Sequence, residues 1–104
     1  MSERYSVIYT KSALEDLRSI YSYIAGEYGD EDAAAKRVRK IRIAIRTLDM
    51  FPGRYPCHRD TSLHIMPAGH YRVIYAIDDE KKTAGIRRIF ASRQNIGYLL
   101  KREQ

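Results

Sequence analysis

The sequence predicts an α+β fold: a mostly antiparallel twisted sheet with an N-terminal helical hairpin packed on one face. Three observations predict it. Residues 12–51 hold two consecutive runs whose apolar side chains recur every three or four positions, the period of a helix face. The run Tyr71–Ile77 alternates with the period of a strand: Tyr71, Val73, Tyr75 and Ile77 share one face, and Arg72, Ile74 and Ala76 the other. A polar turn, Asp78-Asp-Glu-Lys-Lys82, joins it to a second strand from about Thr83 to Phe90. The order is β-α-α-β-β-β in a single domain over residues 1–104, with a short C-terminal helix or tail.

Tyr5–Tyr9 is β-branched and aromatic, a short first strand. Ser12-Ala-Leu-Glu15 reads as a capping box that starts the first helix. Leu14, Leu17, Tyr21, Ile24 and Tyr28 form its stripe, and Gly29 ends it. Asp30-Glu-Asp32 opens the second helix with negative charge at the positive end of the helix dipole. Ala34, Val38, Ile41, Ile45 and Leu48 form the second stripe, and Pro52 and Gly53 stop the helix. Lys36, Arg37, Arg39, Lys40, Arg42 and Arg46 occupy its other sides and read as a solvated face rather than a nucleic-acid stripe. With so short a break between them, the helices pair antiparallel and cover each other's stripes. Residues 52–61 are irregular. Ser62–Met66 is a candidate strand ended by Pro67, Gly69 supplies a turn, and Asn95–Lys101 is the final helix or tail.

The net charge is +6, which favours anionic partners through long-range attraction. Arginines inside both strand runs point the same way, toward phosphate chemistry, nucleic acid or an acidic protein. Cys57 is the single cysteine, so no internal disulfide forms and a reducing compartment fits. The start Met1-Ser-Glu-Arg-Tyr5 lacks a signal peptide's apolar stretch, and no run approaches membrane-spanning length. The expectation is a cytoplasmic protein with no membrane contact. Cys57, His58, His64 and His70 match no standard zinc spacing, and no glycine pattern of a phosphate loop is present. No metal and no cofactor are expected.

The pattern Ala13-Leu-Glu-Asp-Leu17, Ile20, Tyr23-Ile24, then Leu48 and Phe51-Pro52, then Tyr71-Arg72-Val73 with Tyr75, then Arg88-Ile-Phe-Ala-Ser-Arg93, resembles the RelE/ParE toxins of bacterial type II toxin–antitoxin modules. The resemblance spans roughly Tyr5 to Leu100. It rests on order and spacing together, because no single motif is specific. It implies a growth-arresting toxin neutralised by a cognate antitoxin, with operator DNA bound only through the antitoxin complex. Such antitoxins are commonly acidic, which the positive charge complements. It also implies one of two targets. RelE-like members cleave mRNA in the ribosome; ParE-like members inhibit DNA gyrase without a catalytic centre.

Metal-free RNA cleavage requires a base for the 2′-hydroxyl, a cation for the pentavalent phosphate and an acid for the leaving oxygen. Under the RelE-like reading the catalytic candidates are Arg72, Arg93 and Tyr98, with His58, His64 and His70 as further side chains of a type that can carry protons. Each has a structural alternative. Arg72 pairs with Asp78 or Asp79 at the sheet rim, Arg93 is an ordinary surface arginine, and Tyr98 packs the tail. Two departures weigh against cleavage. Ala91 stands where many members carry a histidine, and Arg54 and Arg59 replace the lysines of RelE. The long hairpin reaching Pro52 is ParE-like, so gyrase inhibition is the reading carried forward, with ribosome-dependent cleavage as the alternative.

Overall fold

A computed structural model describes residues 4–93. The elements are β1 (Ser6–Tyr9), α1 (Lys11–Tyr28), α2 (Glu31–Arg46), β2 (His64–Ala68), β3 (Tyr71–Asp78) and β4 (Thr83–Ala91). Two 3-10 turns, Thr47–Asp49 and Pro52–Arg54, follow α2. The sheet order is β1-β4-β3-β2. β2–β3 and β3–β4 are antiparallel, whereas β1 lies parallel to β4, so the sheet is mixed. The α1–α2 hairpin is the crossover from β1, which lets β1 dock alongside a later strand in the same direction.

The helix ends follow local chemistry, with one change from the expected start. The α1 cap is Thr10, not Ser12: its hydroxyl accepts the Ala13 N–H at 3.1 Å. Gly29 closes α1 in the left-handed region at φ 61°, where a Cβ would be strained. Asp30 caps α2 by accepting the Ala33 N–H at 3.0 Å. The α-helix ends at Arg46 rather than reaching Pro52. From there the chain tightens into the first 3-10 turn, and Phe51 then takes φ 55°, which no helix accommodates.

The core lies between the hairpin and one sheet face. Ala13, Leu17, Ile41, Ile45 and Leu48 meet Met66, Val73, Tyr75, Ile86 and Ile89 there. The α1 stripe is rotated from the expected one. Ala13 is fully buried, whereas Leu14 is 44% and Tyr28 71% exposed. Both stripes share Leu17 and Ile24; packing selects the one beginning with alanine, whose small side chain lets the helix start approach the sheet.

One strand feature differs from the sequence expectation and another was not foreseen by it. Pro67 lies inside β2, opposite Arg72, instead of ending a strand at Met66. β2 is an edge strand, where a missing N–H is tolerated. β4 carries a bulge at Arg87: Ile74 pairs with Arg88 and Tyr75 with Ile86. The extra residue shifts the alternation, so Ile86 and Ile89 both reach the helix-facing core. The opposite face holds a smaller cluster of Leu63, Ile74 and Phe90. No helix among the described residues is long and apolar enough to cross a membrane.

Candidate functional site

Arg72 sits near the start of β3 with its side chain exposed. Its cross-strand neighbours are Pro67 on β2 and Phe90 on β4, both apolar. The expected pairing with Asp78 or Asp79 is not made. Those carboxylates lie at or beyond the other end of β3 and serve its turn. Asp78 accepts the Glu80 and Lys81 N–H groups at 3.0 Å each, and Asp79 accepts the Tyr5 hydroxyl at 2.7 Å. Arg93 is exposed just past β4, and the preceding Ser92 N–H donates to the His70 carbonyl at 2.8 Å. β3 begins where β4 ends, with Tyr71 opposite Ala91, so Arg72 and Arg93 share one end of the sheet. Tyr98 lies outside the described residues.

The three histidines are dispersed. His64 is a structural ring: it stacks on Tyr75 with centroids 5.0 Å apart, and its Nδ1 meets the Tyr55 carbonyl. Its Nε2 lies 3.4 Å from Cys57 Sγ across an isolated bridge. His58 holds a loop through its N–H to the Leu63 carbonyl at 2.9 Å. His70 is exposed in the β2–β3 turn. Tyr75 is fully buried and donates to the Pro52 carbonyl; burial pushes its hydroxyl pKa up to about 12. Among the described residues no group of three or more metal-ligating side chains converges.

The helical hairpin carries a second candidate surface. Tyr21, Val38 and Ile43 line a shallow groove of about 410 Å³ edged by Arg39, Arg42 and Arg46. Ile43 is 55% exposed, an apolar side chain ringed by cations. Arg42 also lies over the Tyr9 ring, 5.1 Å from its centroid. A third surface centres on Phe51, 64% exposed beside a groove shared with Pro52, Cys57 and His64. Sequence reasoning used Phe51 only as part of a helix end. Its left-handed backbone has no signal in a helical pattern. Asp16, which holds Arg88 by a forked salt bridge, was also missed; its position beside buried Leu17 was the available hint.

Comparison with known proteins gives these arrangements a context. The family model for the ParE toxin of the type II toxin–antitoxin system parDE matches residues 7–96. No curated protein sequence matches significantly. A solved chain of the chromosomal ParDE system from P. aeruginosa is 18% identical, with a TM-score of 0.74 over 85% of this chain and 96% of its own. A chain of the RelBE2 toxin–antitoxin complex from Mycobacterium tuberculosis is 27% identical, with a TM-score of 0.61 over 86% and 92%. A mutant of the E. coli toxin RelE in the free state is 16% identical, with a TM-score of 0.65 over 97% and 99%. The low identities of the first and third show a shared fold alone. The family match, covering β1 through β4, shows more: the chain belongs to the ParE toxins of type II toxin–antitoxin systems.

Proposed function

We propose that this toxin arrests growth by binding and inhibiting DNA gyrase, without catalysis of its own. The observation that carries the reading is the setting of Arg72. A phosphate-stabilising arginine in a nuclease works beside a proton acceptor and a proton donor. Among the described residues its cross-strand neighbours are Pro67 and Phe90, and Ala91 closes the last strand. The family match supports the same reading. Ribosome-dependent mRNA cleavage remains the second reading, favoured by Arg72 and Arg93 sharing one end of the sheet.

The cognate antitoxin docks, on this reading, across the hairpin groove. The exposed Ile43 and the rim of Arg39, Arg42 and Arg46 suit an acidic amphipathic segment, with apolar anchors for the floor and carboxylates for the rim. The solved relatives from M. tuberculosis and P. aeruginosa were both obtained from toxin–antitoxin systems, in keeping with such a partner.

The test of the target is a pulse-label of DNA, RNA and protein synthesis after inducing the chain alone, paired with a supercoiling assay using purified gyrase. An early fall in DNA synthesis and inhibited supercoiling support the proposal. An early fall in protein synthesis with mRNA fragments, and gyrase untouched at large excess, overturn it in favour of the ribonuclease.

A further inference from the structure

Beneath the β2–β3 turn, α2 and the sheet enclose a small cleft of about 290 Å³. Its rim carries nitrogen donors: the cations Arg37 and Lys40 come from α2, and the His70 imidazole from the turn. Its walls are Ile41, Ala44 and Ala68, and among the described residues no Asp or Glu lines it. Arg37 and Lys40 are three residues apart, hence neighbours on one helix face, and like charges so placed repel. Arg39, Arg42 and Arg46 edge the hairpin groove instead, and Arg37 and Lys40 are the basic side chains of α2 at this cleft. These two border a walled recess that an anion can enter. Arg37 is half-buried, and its guanidinium rests 6.0 Å from the Tyr71 ring centroid, which limits its freedom.

The turn leaves the mouth of the recess open. Gly69 takes φ 62°, and no heavy atom lies within 4 Å of where a Cβ would stand. The donor set comprises a planar fork, a compact ammonium and an imidazole. Three donors of different geometry match a phosphate's oxygens better than the two of a carboxylate. The volume lies at the lower limit of small-ligand clefts, about 300 Å³, and leaves ample room for a phosphate group. Arg72 and Arg93 lie at the same end of the sheet, with Arg93 next to the Ser92 that bonds His70.

We infer that the cleft formed by Arg37, Lys40 and His70 is a phosphate-binding site, distinct from the hairpin groove and independent of the gyrase reading. The phosphate is supplied either by a nucleic-acid backbone or by a free phosphate ester.

The test is an NMR titration of the full chain with inorganic phosphate and, separately, with a single-stranded ten-nucleotide RNA. Amide shifts should concentrate at Ala68, Gly69, His70, Arg37 and Lys40. Arg37→Gln with Lys40→Gln should weaken phosphate binding about tenfold, the loss expected for charge-assisted hydrogen bonds. Lys40→Gln alone, at an exposed position with no packing role, should weaken it several-fold. Arg39→Gln with Arg46→Gln removes the same charge from the other groove and should leave binding nearly unchanged. Tighter RNA binding, with a salt slope that falls by about 0.7 for each lost contact in the first pair, assigns the phosphate to a polymer. RNA binding no tighter than phosphate assigns it to a free ester. Equal losses in the two double variants, or shifts spread evenly over all basic residues, overturn the site and leave only general charge attraction.

Discussion

The Asp16 carboxylate holds the Arg88 guanidinium at two points, Oδ2 to Nε at 2.7 Å and Oδ1 to Nη2 at 3.1 Å. It also accepts the Ile89 N–H at 2.9 Å. The pair follows from unequal strands. β1 has four residues and β4 has nine, so the edge of β4 beyond Tyr9 has no strand beside it. Helix α1 and its cap supply what a strand would have supplied. The Thr10 N–H donates to the Ile86 carbonyl at 3.0 Å, the Thr10 hydroxyl to the Arg87 carbonyl at 2.9 Å, and Asp16 takes the next N–H. One threonine and one aspartate thus satisfy backbone groups that burial would otherwise make costly. They also tie the start of α1 to the bulged half of β4.

Asp16→Ala is therefore expected to lower stability by about 2–4 kcal/mol, because it removes the forked salt bridge of a half-buried guanidinium and the acceptor of the Ile89 N–H. Asp16→Asn keeps one acceptor oxygen but not the charge, and should lose about half as much. Urea unfolding checks both. The midpoint should fall with an unchanged slope. An Asp16→Ala midpoint within error of the parent would mean that solvent replaces the carboxylate and that the pair is incidental.

Tyr75 predicts an alkaline limit to stability. Its pKa is raised by burial from 10.0 to about 12, while Arg54 nearby pulls weakly the other way. A raised folded-state pKa means that the folded protein holds the proton longer than the unfolded chain does. The corresponding stability is complete below pH 10 and is lost as pH rises from 10 toward 12. Tyr75→Phe should cost about 1–2 kcal/mol at neutral pH by leaving the Pro52 carbonyl without its donor. Its stability should then decline less steeply than the parent's above about pH 9.5. Some decline remains, because burial raises Tyr9 and the hydrogen bond to Asp79 raises Tyr5. Parallel curves from neutral to alkaline pH for parent and variant would refute the assignment to Tyr75.

The residues that were legible in the sequence are those whose role is set locally. Gly29, Asp30 and the Asp78–Lys82 turn took the expected conformations because each acts through its own backbone or within three residues of it. The alternation of Val73 and Tyr75 was legible because β3 is paired on both sides. The α1 stripe was not, since two stripes fit the helical period and only contact with the sheet selects Ala13 over Leu14. Nor was the Arg87 bulge, which depends on the register between β3 and β4. At the candidate site, the chemistry of Arg72 was visible but its neighbours were not. Phe90 lies eighteen positions away and meets it only through the sheet.

Phe51 carries a backbone cost without a packing return. Its left-handed conformation, φ 55°, costs about 1–2 kcal/mol for a side chain with a Cβ, and 64% of the residue is exposed. Phe51→Gly relieves that strain, offset by about 0.5–1 kcal/mol of glycine backbone entropy. The variant should melt at the parent's temperature or slightly above it. If Phe51 is retained for contact with a target or antitoxin, the same variant should arrest growth less well or bind antitoxin more weakly. A variant that melts markedly lower, with growth arrest intact, would make Phe51 a structural residue instead.

Arg72 and Arg93 separate the two target readings, because both are exposed and can be removed without unfolding the chain. Arg72→Ala and Arg93→Ala should each change stability by less than about 0.5 kcal/mol, the range for surface substitutions outside special contacts. Melting curves establish that first, so any loss of growth arrest is functional. A nuclease that relies on such an arginine for transition-state charge loses about 10²–10³ in rate when it is removed. Growth arrest should then vanish at ordinary induction. An inhibitor that works by surface complementarity spreads its affinity over several side chains, and an exposed rim charge contributes little to it. On the gyrase reading, both variants still arrest growth and still inhibit supercoiling at slightly higher concentration. Abolished arrest in a fully folded Arg72→Ala variant, with supercoiling never affected by the parent, would place the chemistry at the β3–β4 end of the sheet and make Tyr98→Phe the next substitution.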